Sequence, residues 1–127
     1  MDENDIGKIV VDTAVKIHKV LGPGLLESVY EVVLAKQLRK RGLDVSRQVQ
    51  IPVVFDGDKF DEGFRADIVV NDIVILELKS VEKVHPLHLK QVQTYLKLSG
   101  CRLGFLLNFN VELMKNGIRR CVNRMPD

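Results

Sequence analysis

The sequence predicts an α/β fold: a mixed sheet, built from a three-stranded antiparallel meander plus a parallel strand, flanked by helices. Three observations carry this expectation. Apolar residues recur at helical spacing as far as Arg41, and the period then falls to two from Val45 to Phe55. A helical pattern after Pro86 is followed at once by the apolar run Leu103-Gly104-Phe105-Leu106-Leu107. A strand entered from a helix runs parallel to the strand before that helix.

The first helix is expected from Asp5 to Leu21, with Ile6, Ile9, Val10, Ala14, Ile17, Val20 and Leu21 on its apolar side. Gly22-Pro23-Gly24 breaks it. A second helix follows from about Leu25 to Arg41, with Leu26, Val29, Tyr30, Val33, Leu34 and Leu38 as the buried stripe and Gly42 as its stop. Val45, Val49, Ile51, Val53 and Phe55 then read as a strand with one face inward. Asp56-Gly57 supplies a turn before a second strand from Lys59 to Val70, and Asn71-Asp72 supplies another before a third from Ile73 to Val81. His85-Pro86 starts a third helix, in which Leu87, Leu89, Val92, Tyr95, Leu96 and Leu98 lead to Ser99-Gly100. The buried strand from Leu103 comes next, and a last strand or edge element from Gly117 to Asn123 closes the order.

A chain of 127 residues, 46% hydrophobic and 28% charged, suits one globular domain with a real core. No apolar run approaches the roughly 18 residues that span a bilayer, and the start MDENDIGK is unlike a signal peptide. The expectation is a cytoplasmic protein with no membrane partner. Cys101 and Cys121 fit neither a zinc spacing nor a disulfide framework, and both read as reduced, packed thiols. A net charge of +2 is too mild to diagnose nucleic-acid binding. Basic residues do gather at Arg39-Lys40-Arg41, along Lys79, Lys83, Lys90 and Lys97, and at Lys115, Arg119, Arg120 and Arg124. They suit either solvated helix faces or a phosphate-tracking surface.

The anomaly lies in IVILELK, Ile73 to Lys79. On a strand Glu77 and Lys79 share a face with Ile73 and Ile75, so two charges continue an apolar surface. Unpartnered burial of such groups costs several kcal/mol. A surface ion pair at a fraying strand end is the plain explanation. A carboxylate beside a lysine is also what a metal-and-phosphate site requires: a hard oxygen ligand, and a cation that orients water and stabilises charge on phosphorus.

Asp67 is the best second acid, because it interrupts Phe64-Arg65-Ala66-Asp67-Ile68-Val69-Val70 as Glu77 interrupts its own strand. A turn of Asn71-Asp72 alone would set Asp67 against Leu76, sending the acids to opposite faces. A three-residue connection or a bulge sets Val70 against Val74 and Asp67 against Glu77, and that longer connection is expected. On the second helix Glu27 and Tyr30 are spaced to share one side; on the third, His88, Gln91 and Tyr95 do so while Gln93 projects elsewhere. His18, His85 and His88 have no triad-like setting and read as incidental.

Gly24-Leu25-Leu26-Glu27-Ser28-Val29-Tyr30 matches the signature of the GxxExxY family of small bacterial and archaeal proteins. Asp67, Glu77-Leu78-Lys79 and Gln91-Val92-Gln93-Thr94-Tyr95 resemble the D, ExK and QxxxY elements of the PD-(D/E)XK nuclease superfamily, to which that family is assigned. The likeness covers nearly the whole chain, residues 1–127, as a single nuclease-like domain; Ala66 stands where the name has proline. It implies a restriction-endonuclease-like αβββαβ core. It further implies Mg²⁺ or Mn²⁺ on Asp67, Glu77 and the Leu78 carbonyl, with Lys79 positioning the attacking water. Glu27 would sit in an outer shell or bind the metal through water, and Gln91 and Tyr95 would lie beside the site, holding it or the DNA.

The expected function is a Mg-dependent phosphodiesterase acting on nucleic acid, chiefly DNA, in repair, recombination or defence. A non-cleaving nucleic-acid-binding or assembly module is the first alternative, and a structural protein with an internal Asp67, Glu77 and Lys79 ion network the second. A homodimer through the first helix or the terminal strand is compatible with each.

Overall fold

Helix α1 (Glu3–Leu21) begins where Asp2 can cap it. The Asp2 carboxylate accepts from the Asp5 amide at 2.8 Å, and the Asp5 carboxylate accepts from the Asp2 amide at 3.1 Å. This reciprocal cap satisfies donors at the exposed helix start, so the helix opens ahead of the Asp5 start expected from periodicity. Ile6, Val10, Ala14 and Ile17 are buried, whereas Val20 and Leu21 are exposed. The computed structural model describes residues 1–126.

Helix α2 (Glu27–Lys40) buries only part of the expected stripe. Leu26 is 73% exposed and Val29 39%, while Tyr30, Glu31, Leu34, Ala35 and Leu38 are buried. Tyr30 sets this rotation. Its ring stacks on Phe109 with centroids 4.4 Å apart, and its hydroxyl donates to the Gly22 carbonyl at 2.6 Å and accepts from the Leu25 amide at 3.2 Å. A buried tyrosine with both roles of its hydroxyl fulfilled anchors the helix on its 30/34/38 side.

The sheet has the order β1 (Val45–Phe55), β2 (Asp58–Val70), β3 (Val74–Lys79), β4 (Leu103–Asn108), β5 (Ile118–Val122). β1, β2 and β3 form the expected antiparallel meander, and β3 and β4 pair in parallel after helix α3 (Pro86–Ser99). β5 pairs antiparallel to β4 after a 3₁₀ turn, Met114–Gly117, that the sequence reading missed. β3 is therefore the central strand. It ends at Lys79 rather than Val81: the Lys79 carbonyl accepts from the Phe109 amide at 3.0 Å, and the Asn108 side chain takes up both backbone groups of Val81.

Each face of the sheet carries its own core. Ile6, Val10, Tyr30 and Leu34 of α1 and α2 pack with Ile68, Leu76 and Phe105. Val92 and Leu96 of α3 pack with Val69, Ile75 and Leu106. Burying a side chain of this size stabilises by about 1.5–3 kcal/mol before conformational entropy is charged against it. On α3, Leu87 and Leu98 stay exposed, so its buried stripe is narrower than expected.

The expected one-face alternation of β1 is broken at Gln48. Val45, Ile68 and Val70 belong to the core under α1 and α2, but Ile51 and Ala66 belong to the core under α3, with Val49 and Phe64 packed against it. Arg47 pairs with Ile68 and Val49 with Ala66, so Gln48 and Asp67 stand opposite each other where the faces exchange. Gln48 has φ 53, in the left-handed region where a residue other than glycine is strained. Farther out, Ile51 pairs with Phe64 and Val53 with Phe60, so β2 bulges at Gly63. A Cβ there would meet the Ile51 carbonyl oxygen at 2.5 Å. Phe55, expected inward, is 74% exposed at the hairpin tip.

Cys101 and Cys121 are buried free thiols. Among the described residues no helix is long and apolar enough to cross a membrane.

Candidate active site

The connection between β2 and β3 decides the geometry. Val70 pairs with Val74, Val69 with Ile75 and Ile68 with Leu76, leaving Asn71, Asp72 and Ile73 as a three-residue link. Asn71 (φ 51) and Asp72 (φ 60) take the left-handed conformation that these residue types tolerate best after glycine. Asn71 is fixed further by its amide on the Asp44 carbonyl at 2.7 Å and its side-chain oxygen on the Asp44 amide at 2.8 Å. Asp67 is thus brought beside Glu77, as the longer connection requires. The ladder gives way here to a side chain: the Leu78 amide donates to Asp67 Oδ2 at 2.8 Å.

Glu77 Oε2 is buried with no hydrogen-bond partner among the described residues. Its carboxyl is pushed up to about 9, first by burial, then by the hydrogen bond and charge of Asp67, with Glu27 adding and Lys79 opposing. At neutral pH the metal-free pair of acids therefore holds a proton that two separate carboxylates would not. Lys79 is half-buried and makes no ion pair within 4.0 Å among the described residues. The internal ion network thus lacks its salt bridge.

Glu27 opens α2 at the exit of β3. Its Oε1 accepts from the Ser80 amide at 3.2 Å, and the Ser80 hydroxyl donates to the Leu25 carbonyl at 2.7 Å. A cleft of about 600 Å³ opens here, lined by Leu25, Leu26, Glu27, Ser80 and Asn110 among others. From the other side, Tyr95 stacks on Phe64 with centroids 3.5 Å apart. Its phenol is held above the usual range by burial and then by the charges of Glu77 and Asp67. Gln91 is exposed on α3 and makes no side-chain hydrogen bond among the described residues. Gln93 bonds the Val122 carbonyl at 2.7 Å, away from the site.

The three histidines divide. His18 Nε2 lies 2.7 Å from the Val111 carbonyl oxygen and ties α1 to the loop after β4. His85 and His88 cap α3: His85 Nδ1 accepts from the Leu87 amide, and His88 Nδ1 from the His85 amide. His88 is lowered by burial and then by the charges of Lys79 and His85.

The sequence reading missed a group on the far side of Asp67. Glu31 is 5% exposed on α2, and its Oε2 accepts from Arg47 at 2.9 and 2.8 Å. Gln48 Nε2 lies 2.7 Å from Glu31 Oε1 and 3.4 Å from Asp67 Oδ1. A signal for it existed in the arginine at position 47, where alternation from Val45 to Val49 calls for an inward apolar residue.

The residues fit a hard cation in their oxygen chemistry and in the one buried Glu77 oxygen that has no partner among the described residues. Among the described residues no three or more His, Cys, Asp or Glu side chains group to hold a metal. The side-chain donors are two, Asp67 and Glu77. Mg²⁺ accepts such a set, keeping several waters and taking one or two carboxylates.

A mixed sheet with a parallel central pair, three flanking helices and acids on adjacent strands defines a restriction-endonuclease-like α/β fold. The family model of the PD-(D/E)XK nuclease superfamily matches residues 4–121, and the chain belongs to that superfamily. None of the curated proteins and none of the solved structures compared matches the chain.

Proposed function

We propose that this chain is a metal-dependent nuclease that hydrolyses phosphodiester bonds in DNA, in a repair, recombination or defence setting, and that it belongs to the GxxExxY group of the superfamily. The observation that carries the reading is the buried, unpartnered Glu77 oxygen beside Asp67. Burial beside Asp67 makes the metal-free pair hold a proton, and a cation taking that proton's place would complete both carboxylates.

In this reading Asp67, Glu77 and the Leu78 carbonyl hold Mg²⁺ or Mn²⁺. The bound cation supplies Lewis acidity toward phosphate and water. Lys79, with no ion pair among the described residues, orients the attacking water and stabilises the charge that develops on the phosphoryl oxygens. Glu27, fixed by the Ser80 amide, adds a carboxylate at the mouth of the cleft and reaches the site through water. Tyr95 walls the acids from α3, and Gln91, exposed one turn earlier, meets the DNA. The protein acts in the cytoplasm, and a second copy can pair through α1 or β5.

Purified protein with Mg²⁺ or Mn²⁺ is expected to cut at least one of single-stranded, duplex, flapped or branched DNA, while Glu77→Ala and Lys79→Ala do not. Salt-dependent DNA binding without cutting would replace this reading by that of a binding module. Equal cutting by parent and variants would overturn the assigned roles.

A further inference from the structure

We infer that Gln48 is a positioning residue for Asp67, holding that carboxylate ready for a cation through a neutral amide braced on Glu31. The inference rests on the metal-site reading of Asp67 and Glu77 and deepens it.

The orientation of the Gln48 amide follows from its neighbours. Its nitrogen lies near Glu31 Oε1 at 2.7 Å and Asp67 Oδ1 at 3.4 Å, and both are acceptors. Only the two-donor end of an amide suits both, so one N–H serves each carboxylate. Asp67 is then held at both oxygens, by Leu78 N–H on Oδ2 and by Gln48 on Oδ1.

The charge arrangement is specific. Arg47 precedes Gln48 in the chain and pairs with Ile68, next to Asp67, but both of its contacts go to Glu31 Oε2. Arg47 and Glu31 cancel, and what reaches Asp67 is an uncharged donor. An amide fixes the rotamer of a carboxylate without neutralising it, whereas a guanidinium would compete with a metal ion for it. The backbone supports the same reading. Gln48 sits at φ 53 opposite Asp67, a left-handed conformation on a strand. That conformation is tolerated where the surroundings determine it, and such residues gather at functional sites.

The test measures Mn²⁺ alone, by calorimetry or by the Mn²⁺ spin-resonance signal, on the parent, Gln48→Met and Gln48→Gly, with melting temperatures beside it. Met keeps the length and loses the donors; Gly loses the donors and relieves the backbone. Both variants are expected to bind Mn²⁺ roughly tenfold more weakly, the lower end of what loss of a supporting hydrogen bond does to metal affinity. Gln48→Gly is expected to melt no lower than Gln48→Met. Affinities within about twofold of the parent in both variants would overturn the inference and leave the metal-site reading standing. A parent that binds no Mn²⁺ overturns that reading and the inference with it.

Discussion

The Leu78 amide donates its hydrogen bond to the side chain of Asp67 rather than to the backbone of β2, at 2.8 Å. Asp67 is therefore a strut of the sheet as well as a candidate metal ligand. Asp67→Ala should lower stability by about 1–3 kcal/mol, because it strands a donor at the edge of the core. Asp67→Asn retains an oxygen for that amide, so it should melt close to the parent while losing Mn²⁺ binding. Denaturant unfolding of both variants, set beside Mn²⁺ titration, separates the two roles.

Glu77 gives the metal-free protein a characteristic pH response. Its folded-state pKa of about 9 lies above the ordinary carboxylate value of 4.5. Between those values the folded state binds more protons than the unfolded state, so this group's contribution to stability falls as pH rises, by at most about 1.4 kcal/mol per pH unit. Glu77→Gln removes the titration. Without metal, the melting temperature of the parent should fall relative to Glu77→Gln from pH 5 to pH 9; a constant difference would show that Glu77 is ionised throughout.

Metal binding should read out the same proton. A cation needs Glu77 as carboxylate, so at pH 7 binding of Mn²⁺ releases about one proton, and affinity climbs with pH until about 9. Calorimetry in buffers of different ionisation enthalpy counts it directly.

Lys79 is assigned to the reacting phosphate and not to the cation. Lys79→Met should lower the cleavage rate by about 10²–10³-fold, the scale of losing one group that stabilises transition-state charge. Mn²⁺ affinity should stay at least equal to the parent's, since a nearby positive charge has been removed. A matching loss of metal binding would instead make Lys79 a support of the acids.

Tyr30, the tyrosine of the GxxExxY match, is fully buried and bonds Gly22 and Leu25. Tyr30→Phe should cost about 0.5–1.5 kcal/mol in unfolding free energy, the net worth of a typical hydrogen bond, and leave the metal affinity unchanged. A large drop in metal affinity with no change in stability would place its hydroxyl in the chemistry.

Much of this was legible in the residue order. Period three and four against period two separated helices from strands, and the apolar run at Leu103 announced the parallel pair. The acids at Asp67 and Glu77 stood out because each interrupts a strand that is otherwise apolar. What periodicity could not give was any feature that depends on a side chain's distant partner. Tyr30 rotated α2 because its hydroxyl had partners in the preceding loop, exposing Leu26 and burying Glu31. Gln48 was invisible because a left-handed residue in a strand leaves only a broken alternation as its trace. Phe55 is exposed because it stands at the hairpin tip, paired with Asp58 beside the turn and outside both cores.

The link Asn71-Asp72-Ile73 bears on how the gene can change. Surface loops ordinarily drift in length between relatives at little cost. This one is a ruler: dropping a single residue sets Asp67 against Leu76 and turns the acids to opposite sides of the sheet. Its residue types can vary among those that accept a left-handed backbone. Its length cannot, so in a lineage that retains activity, insertions and deletions should collect at the tip of the β1–β2 hairpin and spare the shorter turn beside it.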